Sequence, residues 1–160
     1  MGNELCLQCH KAQEYDTREH HFHKKKGEEG EPVRSSEGEV LFDVGTGAEC
    51  IQCHMPGRYY MGVDYRPDHS FRIPRPDLSM KIGTPDACKR CHVNKTSQWC
   101  DETITKWYGP GRRKHYGTII DAGRKGRPEA KADLIRLARD PLYPVIVRAT
   151  ALSLLAGYPG

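Results

Sequence analysis

Cys6-Leu7-Gln8-Cys9-His10, Cys50-Ile51-Gln52-Cys53-His54 and Cys88-Lys89-Arg90-Cys91-His92 are three copies of one pattern, C-x-x-C-H, in a chain of 160 residues. Two thiols three positions apart lie on the same side of one helical turn, where both can form thioethers to the two vinyl groups of a single porphyrin. The adjoining histidine then reaches the iron, so each copy reads as one haem attachment site. A zinc site or a disulfide also uses C-x-x-C pairs, but zinc takes pairs of pairs and gives no reason for a histidine after every second cysteine. A thioredoxin-like redox motif wants one copy in a βαβ setting, which is absent here. The expectation is three haems c, attached through Cys6, Cys9, Cys50, Cys53, Cys88 and Cys91, with His10, His54 and His92 as proximal iron ligands.

Composition supports an interior filled by more than side chains. Hydrophobic residues make up 37%, with three Phe and two Trp against 16 Gly and 11 Pro, so the apolar core is thin for the length and much of the chain is loop. No stretch approaches the roughly 18 apolar residues that a membrane span requires. The opening Met1-Gly2-Asn3-Glu4-Leu5-Cys6 has neither a basic n-region nor an apolar h-region. The 25 basic and 21 acidic residues are interspersed, and Lys24-Lys25-Lys26 is the longest basic run, which reads as a solvated mixed surface and argues against nucleic acid as a partner.

Five histidines remain for three open axial positions: His20, His21, His23, His69 and His115. Methionine competes poorly, since Met55 directly follows His54 on the proximal side of its own haem. Bis-histidine iron is therefore expected, with lower potentials than His/Met ligation gives. In Glu19-His20-His21-Phe22-His23, a helical turn puts His20 and His23 on one face, whereas an extended chain pairs His21 with His23. His69 sits in Arg66-Pro67-Asp68-His69-Ser70-Phe71-Arg72, where Asp68 or a backbone carbonyl can hold its second ring nitrogen. His20, His23 and His69 are the expected distal ligands, with His21 and His115 as alternatives.

The middle of the chain carries a resemblance. Cys50-Ile-Gln-Cys53-His54-Met55-Pro56, then Tyr60-Met61, then Asp68-His69-Ser70-Phe71-Arg72-Ile73-Pro74-Arg75-Pro76-Asp77-Leu78-Ser79, then Gly83-Thr84-Pro85-Asp86-Ala87-Cys88 resembles the multihaem c-type cytochromes whose haem domain leads into helical repeats. The likeness extends to the extracellular filament-forming cytochromes. Electron transport is the expected role; the surplus of histidines argues against an open sixth position on iron and so against enzymatic activity. The resemblance also implies distal ligation by His69 and by members of the His20–His23 cluster, and a protein exported to the periplasm or the cell exterior, since this cytochrome class receives its haem outside the cytoplasmic membrane. The chain departs from the pattern in lacking a further haem segment upstream, in a Gly/Glu-rich stretch at about residues 27–48, and in stopping after a few repeat helices. A reduced member or a fragment is the expectation.

Beyond the third motif the periodicity becomes helical. Gln98 to Tyr108 places Trp99, Thr103 and Trp107 on one face and stops at Gly109-Pro110-Gly111, and a second helix is expected around His115 to Ala122. Pro128 to Arg139, with Leu134, Ile135 and Ala138, and Pro144 to Ala156, with Ile146, Ala149, Leu152 and Leu155, are expected to form an antiparallel pair. Within residues 27–48, Glu39 to Val44 reads as a short strand in a surface loop or hairpin. The fold class is mainly α with extensive loops. A three-haem domain over 1–97, organised around stacked haems and carrying the 27–48 insertion, precedes a helical, repeat-like segment over 98–160 that packs on it or on a neighbouring subunit.

Cys100 belongs to no motif; it is either a buried helix residue or a thiol able to link covalently to another chain. The expected partners are copies of the same chain, other redox proteins or an extracellular electron acceptor. Three functions follow: a subunit of a conductive filament, a monomeric periplasmic carrier or module of a respiratory complex, or a haem-based nitrite- or hydroxylamine-type reductase, the last requiring an open iron.

Overall fold

A computed structural model describes residues 2–158; Met1, Pro159 and Gly160 lie outside the described residues, the last two at the end of the expected C-terminal segment. The chain divides into two compact units, one running to Pro76 and resuming over Asp86–Cys100, the other comprising Asp77–Pro85 and the chain from Asp101. The last division therefore falls within the helix after the third motif, a few residues beyond the expected boundary at 97, and residues 77–85 belong to the second unit.

The first unit is short pieces of structure joined by loops, as the Gly and Pro content requires. A 3₁₀ turn over Asn3–Gln8 is followed by α1 (Ala12–Tyr15) and α2 (Arg18–His21). In the 27–48 stretch β1 (Val33–Arg34) pairs antiparallel with β2 (Val40–Phe42), matching Val33 to Phe42, so the single expected strand is one arm of a hairpin. After a 3₁₀ turn over Thr46–Ala48 comes α3 (Cys50–His54), the second motif itself. A second hairpin, β3 (Arg58–Tyr60) with β4 (Asp64–Arg66), registers Tyr59 opposite Tyr65. Its tyrosines flank a turn at Met61-Gly62-Val63, and no expected element covers this hairpin.

The second unit is helical: α4 (Pro76–Ile82) and α5 (Ser97–Tyr108), both of which begin in the first unit, then α6 (Tyr116–Arg124), α7 (Ala130–Arg139) and α8 (Val145–Leu155). Pro76 opens α4 at the position where its missing N–H costs nothing. Arg112 ties α4 to α5, pairing with Asp77 at 3.2 Å, with Asp101, and with the Thr105 hydroxyl at 2.6 Å. Ala130, Leu134, Leu137 and Ala138 of α7 fall on one stripe and bury against Ile120 of α6 and Val147 and Ala151 of α8. Gly123 of α6 lets α7 approach, since a Cβ there would meet Leu134 Cδ1 at 3.0 Å.

The buried face of α8 agrees with the expected one only at Leu155, which packs partly buried against the core. Val147 and Ala151 are buried while Ile146, Ala149 and Leu152 face solvent. The sequence Val-Ile-Val-Arg-Ala-Thr-Ala-Leu-Ser-Leu-Leu is apolar nearly all round, so its period cannot choose a face.

Candidate haem-binding centres

All three C-x-x-C-H motifs lie in the first unit, each as a single helical turn. The His10 amide donates to the Cys6 carbonyl at 3.0 Å, and the His92 amide to the Cys88 carbonyl at 2.9 Å; α3 does the same for the second motif. Side chains hold neighbouring motifs together. Asn3, ahead of the first motif, accepts from the Cys50 amide at 2.9 Å while donating to the Ala48 carbonyl at 3.0 Å and to Asp16 at 3.1 Å. Arg90, inside the third motif, donates to Gln52 inside the second at 3.2 Å. The Cys6 and Cys50 thiols hydrogen-bond each other, and burial followed by that neighbour pushes Cys50 up to about 11. Burial, then Cys91, likewise raises Cys53. The second motif thus lies between the other two, one of its cysteines beside each.

Two histidine pairs stand out. The rings of His20 and His54 lie 6.1 Å apart between centroids, with planes within 11°, and those of His23 and His92 lie 6.1 Å apart at 42°. With a metal–imidazole bond of about 2.0 Å, and a ring centre about 1.1 Å behind its nitrogen, two imidazoles sharing one metal have centres about 6.2 Å apart. Burial lowers the pKa of His20, with His54 adding to it; burial, then His23 and Lys95, lowers that of His92. Both rings are biased toward the neutral form that ligates metal. His10 instead has the Tyr15 ring edge-on at 5.2 Å, and the same tyrosine meets His20 at 5.4 Å.

The second ring nitrogen sorts the other histidines. A carbonyl can only accept, so an Nδ1 bonded to one carries the proton and leaves Nε2 for a metal. His54 donates in this way to the Arg72 carbonyl at 2.9 Å, His69 to the Pro67 carbonyl at 2.9 Å, and His23 to the His21 carbonyl. An amide can only donate, so an Nδ1 that accepts from one forces the neutral ring's proton onto Nε2. His21 is of this kind, accepting from the His23 amide at 3.2 Å, and so is His115, which caps α6 by accepting from the Gly117 amide at 3.0 Å. His69 is exposed, and His115 lies in the second unit.

Other groups seat these rings, in contacts that the sequence does not announce: Trp99 is expected there only as a helix-face residue and Asp68 only as a partner of His69. Trp99 of α5 lies 5.3 Å from His92, with the Lys95 ammonium 5.3 Å from the Trp99 ring. The His23 ring lies on Gly47, where a Cβ would meet its Cδ2 at 2.5 Å. Arg72 reaches His54 because Asp68 shapes the segment between, accepting from the Ser70 amide at 2.9 Å, from the Ser70 hydroxyl, and from Arg72 Nε at 3.1 Å. Nothing local in sequence announces these contacts, except that Asp-x-Ser is a turn signal.

Cys100 is 1% exposed, so a bond from it to another chain requires local opening. Its thiol groups with Cys88 and Asp86, their ligating atoms all within 4.8 Å, and Asp86 accepts from the Cys88 amide at 3.0 Å.

The residues fit haem on the chemistry of the donor set: three thiol pairs, each with a following histidine, and two further imidazoles at the separation that one iron demands. The small apolar core agrees, since Ala48, Pro76 and Cys100 are the only fully buried apolar side chains of the first unit among the described residues. The family described as cytochrome c554 and c-prime matches residues 5–69, under half of the chain; the matched stretch holds the first two motifs, the His20–His23 cluster and His69. No curated protein and no solved structure matches the chain. The family match supports a c-type cytochrome with haem c as its cofactor and haem-based electron transfer as its role. Proteins of that family are typically periplasmic or exported, and no helix among the described residues is long and apolar enough to cross a membrane.

Proposed function

We propose that this chain is a three-haem electron carrier in which His20 and His54 share the iron of the second motif and His23 and His92 share that of the third. The observation that carries the reading is the pair of 6.1 Å ring separations, each joining a motif histidine to one from the His20–His23 cluster. Haem supplies one-electron iron chemistry when bound; the chain supplies attachment, ligation and orientation. The cysteine pairs hold the groups, the Arg72 and His21 carbonyls fix the ligating tautomers of His54 and His23, and Asn3 and Arg90 keep the three motifs adjacent, so that electrons pass between them without large protein motion. Low-temperature EPR of the oxidised protein tests the pairing. Low-spin signals from the second and third irons are expected, and His20→Ala and His23→Ala should each turn one iron high-spin.

The first motif decides the form the carrier takes. Among the described residues no histidine ring faces His10, while exposed His69 is held in the ligating tautomer. This favours a filament in which His69 of one copy serves the first-motif iron of the next, outside the cell, over a monomeric periplasmic carrier. Electron microscopy of natively purified protein and of a His69→Ala variant checks it: filaments lost in the variant support the reading, and small particles in both refute it. A second reading, a nitrite- or hydroxylamine-type reductase, rests on the same lack, among the described residues, of a histidine ring facing His10. Carbon monoxide binding to one iron of the intact, unaltered assembly would favour it over a non-enzymatic carrier.

A further inference from the structure

The two histidines that face the second and third motifs come from one four-residue stretch, and its backbone is held in one particular shape. α2 ends at His21, and Phe22 takes φ +55°, a left-handed conformation that a bulky L-residue adopts only under constraint. The constraint is visible on the C-terminal side. His21 and His23 are bonded to each other twice, the His23 amide donating to His21 Nδ1 at 3.2 Å and His23 Nδ1 donating to the His21 carbonyl. Gly47 backs the His23 ring so closely that no side chain fits between them. The turn sends His23 to His92 while His20, one turn of helix earlier, stays against His54.

We propose that residues 20–23 are a single two-headed strut serving two irons, in which His21 ligates neither and is the positioning residue that sets the angle of His23. The inference rests on the axial pairing proposed above. It assigns His21 a role opposite to that of an alternative distal ligand: its Nδ1 lone pair is committed to the backbone, so its worth to the protein is the bond it accepts. An asparagine can replace it, because an Asn side-chain oxygen accepts from the amide two residues on in the same local loop.

The test compares His21→Leu, His21→Asn and His23→Ala in the full chain, each checked for three covalent haems and read by EPR spin state. His21→Leu should turn one iron of the three high-spin, as His23→Ala does, and His21→Asn should keep that iron low-spin. A high-spin iron in both His21 variants would make His21 a ligand and overturn the strut, and a wholly low-spin His21→Leu would show that the brace does nothing. Should His21→Leu fail to take up its haems, His21→Asn still decides, since a high-spin iron there refutes the proposal. If His23→Ala leaves every iron low-spin, the pairing itself fails and the strut falls with it.

Discussion

His54 and Arg72, 18 residues apart, are joined by two hydrogen bonds: His54 Nδ1 donates to the Arg72 carbonyl at 2.9 Å, and the Arg72 amide donates to the His54 carbonyl at 2.9 Å. A motif histidine whose ring and backbone are both fixed by one residue presents its Nε2 in a single direction. The Asp68–Ser70–Arg72 turn therefore belongs to the haem centre proposed at the second motif even where none of its side chains ligates.

Asp68→Ala should loosen that turn and raise the potential of the second-motif haem by on the order of tens of millivolts, since a weaker Nδ1–H bond makes the imidazole a poorer donor to ferric iron. Potentiometric titration followed by absorbance checks it. The pH dependence has a definite sign. The Ser70 hydroxyl and amide, then Arg72, pull Asp68 from 3.8 to about 2, so its hold on the turn is complete above its ordinary value and is lost only as pH falls through about 2. Acid titration should disturb the His54 centre as pH falls through about 2 in the parent, a transition that the Asp68→Ala variant, with no carboxylate there to protonate, should lack.

Gly47→Ala places a methyl group where the His23 ring lies, 2.5 Å from Cδ2. The expected result is displacement of His23 and partial high-spin character at the third-motif iron, seen by EPR or in the absorption spectrum. Gly111→Ala, where a Cβ meets nothing within 4 Å, should leave the spectrum unchanged.

Leu134, 0% exposed at the centre of the α6–α7–α8 core, should cost about 2–5 kcal/mol on truncation to alanine, through lost burial and the cavity left behind. Thermal or urea unfolding followed by circular dichroism measures it.

Cys100 should resist alkylation by iodoacetamide in the folded protein and react once the chain is denatured, because burial both hides the thiol and raises its pKa. Labelling followed by peptide mass spectrometry reads this directly. Prompt labelling of the native protein would mean that the α5 start opens readily and would restore Cys100 as a candidate for linking chains.

The sequence made the attachment motifs legible because covalent haem chemistry confines five residues to one turn. It made α5 to α7 legible because their periodicity and their Gly and Pro boundaries agree. It did not reveal which face of α8 is buried, because eleven mostly apolar residues carry no preferred side. Nor did it reveal what orients the histidines: the Arg72 carbonyl, the Gly47 backbone and the Asn3 amide act through folded proximity, at separations of 18, 24 and 47 residues from His54, His23 and Cys50. The choice between His20 and His21 as the companion of His23 was open in the sequence because helical and extended readings differ, and the actual segment is a helix broken at Phe22 by a left-handed residue.

The central claim is that one chain holds three covalent haems, one on each C-x-x-C-H motif. Intact mass spectrometry of denatured protein purified from its native source tests it most directly. The account predicts a mass increment of three haems on the polypeptide, with peptide maps placing one on each of Cys6/Cys9, Cys50/Cys53 and Cys88/Cys91. A chain carrying no haem, or zinc in place of haem on any pair, would contradict it.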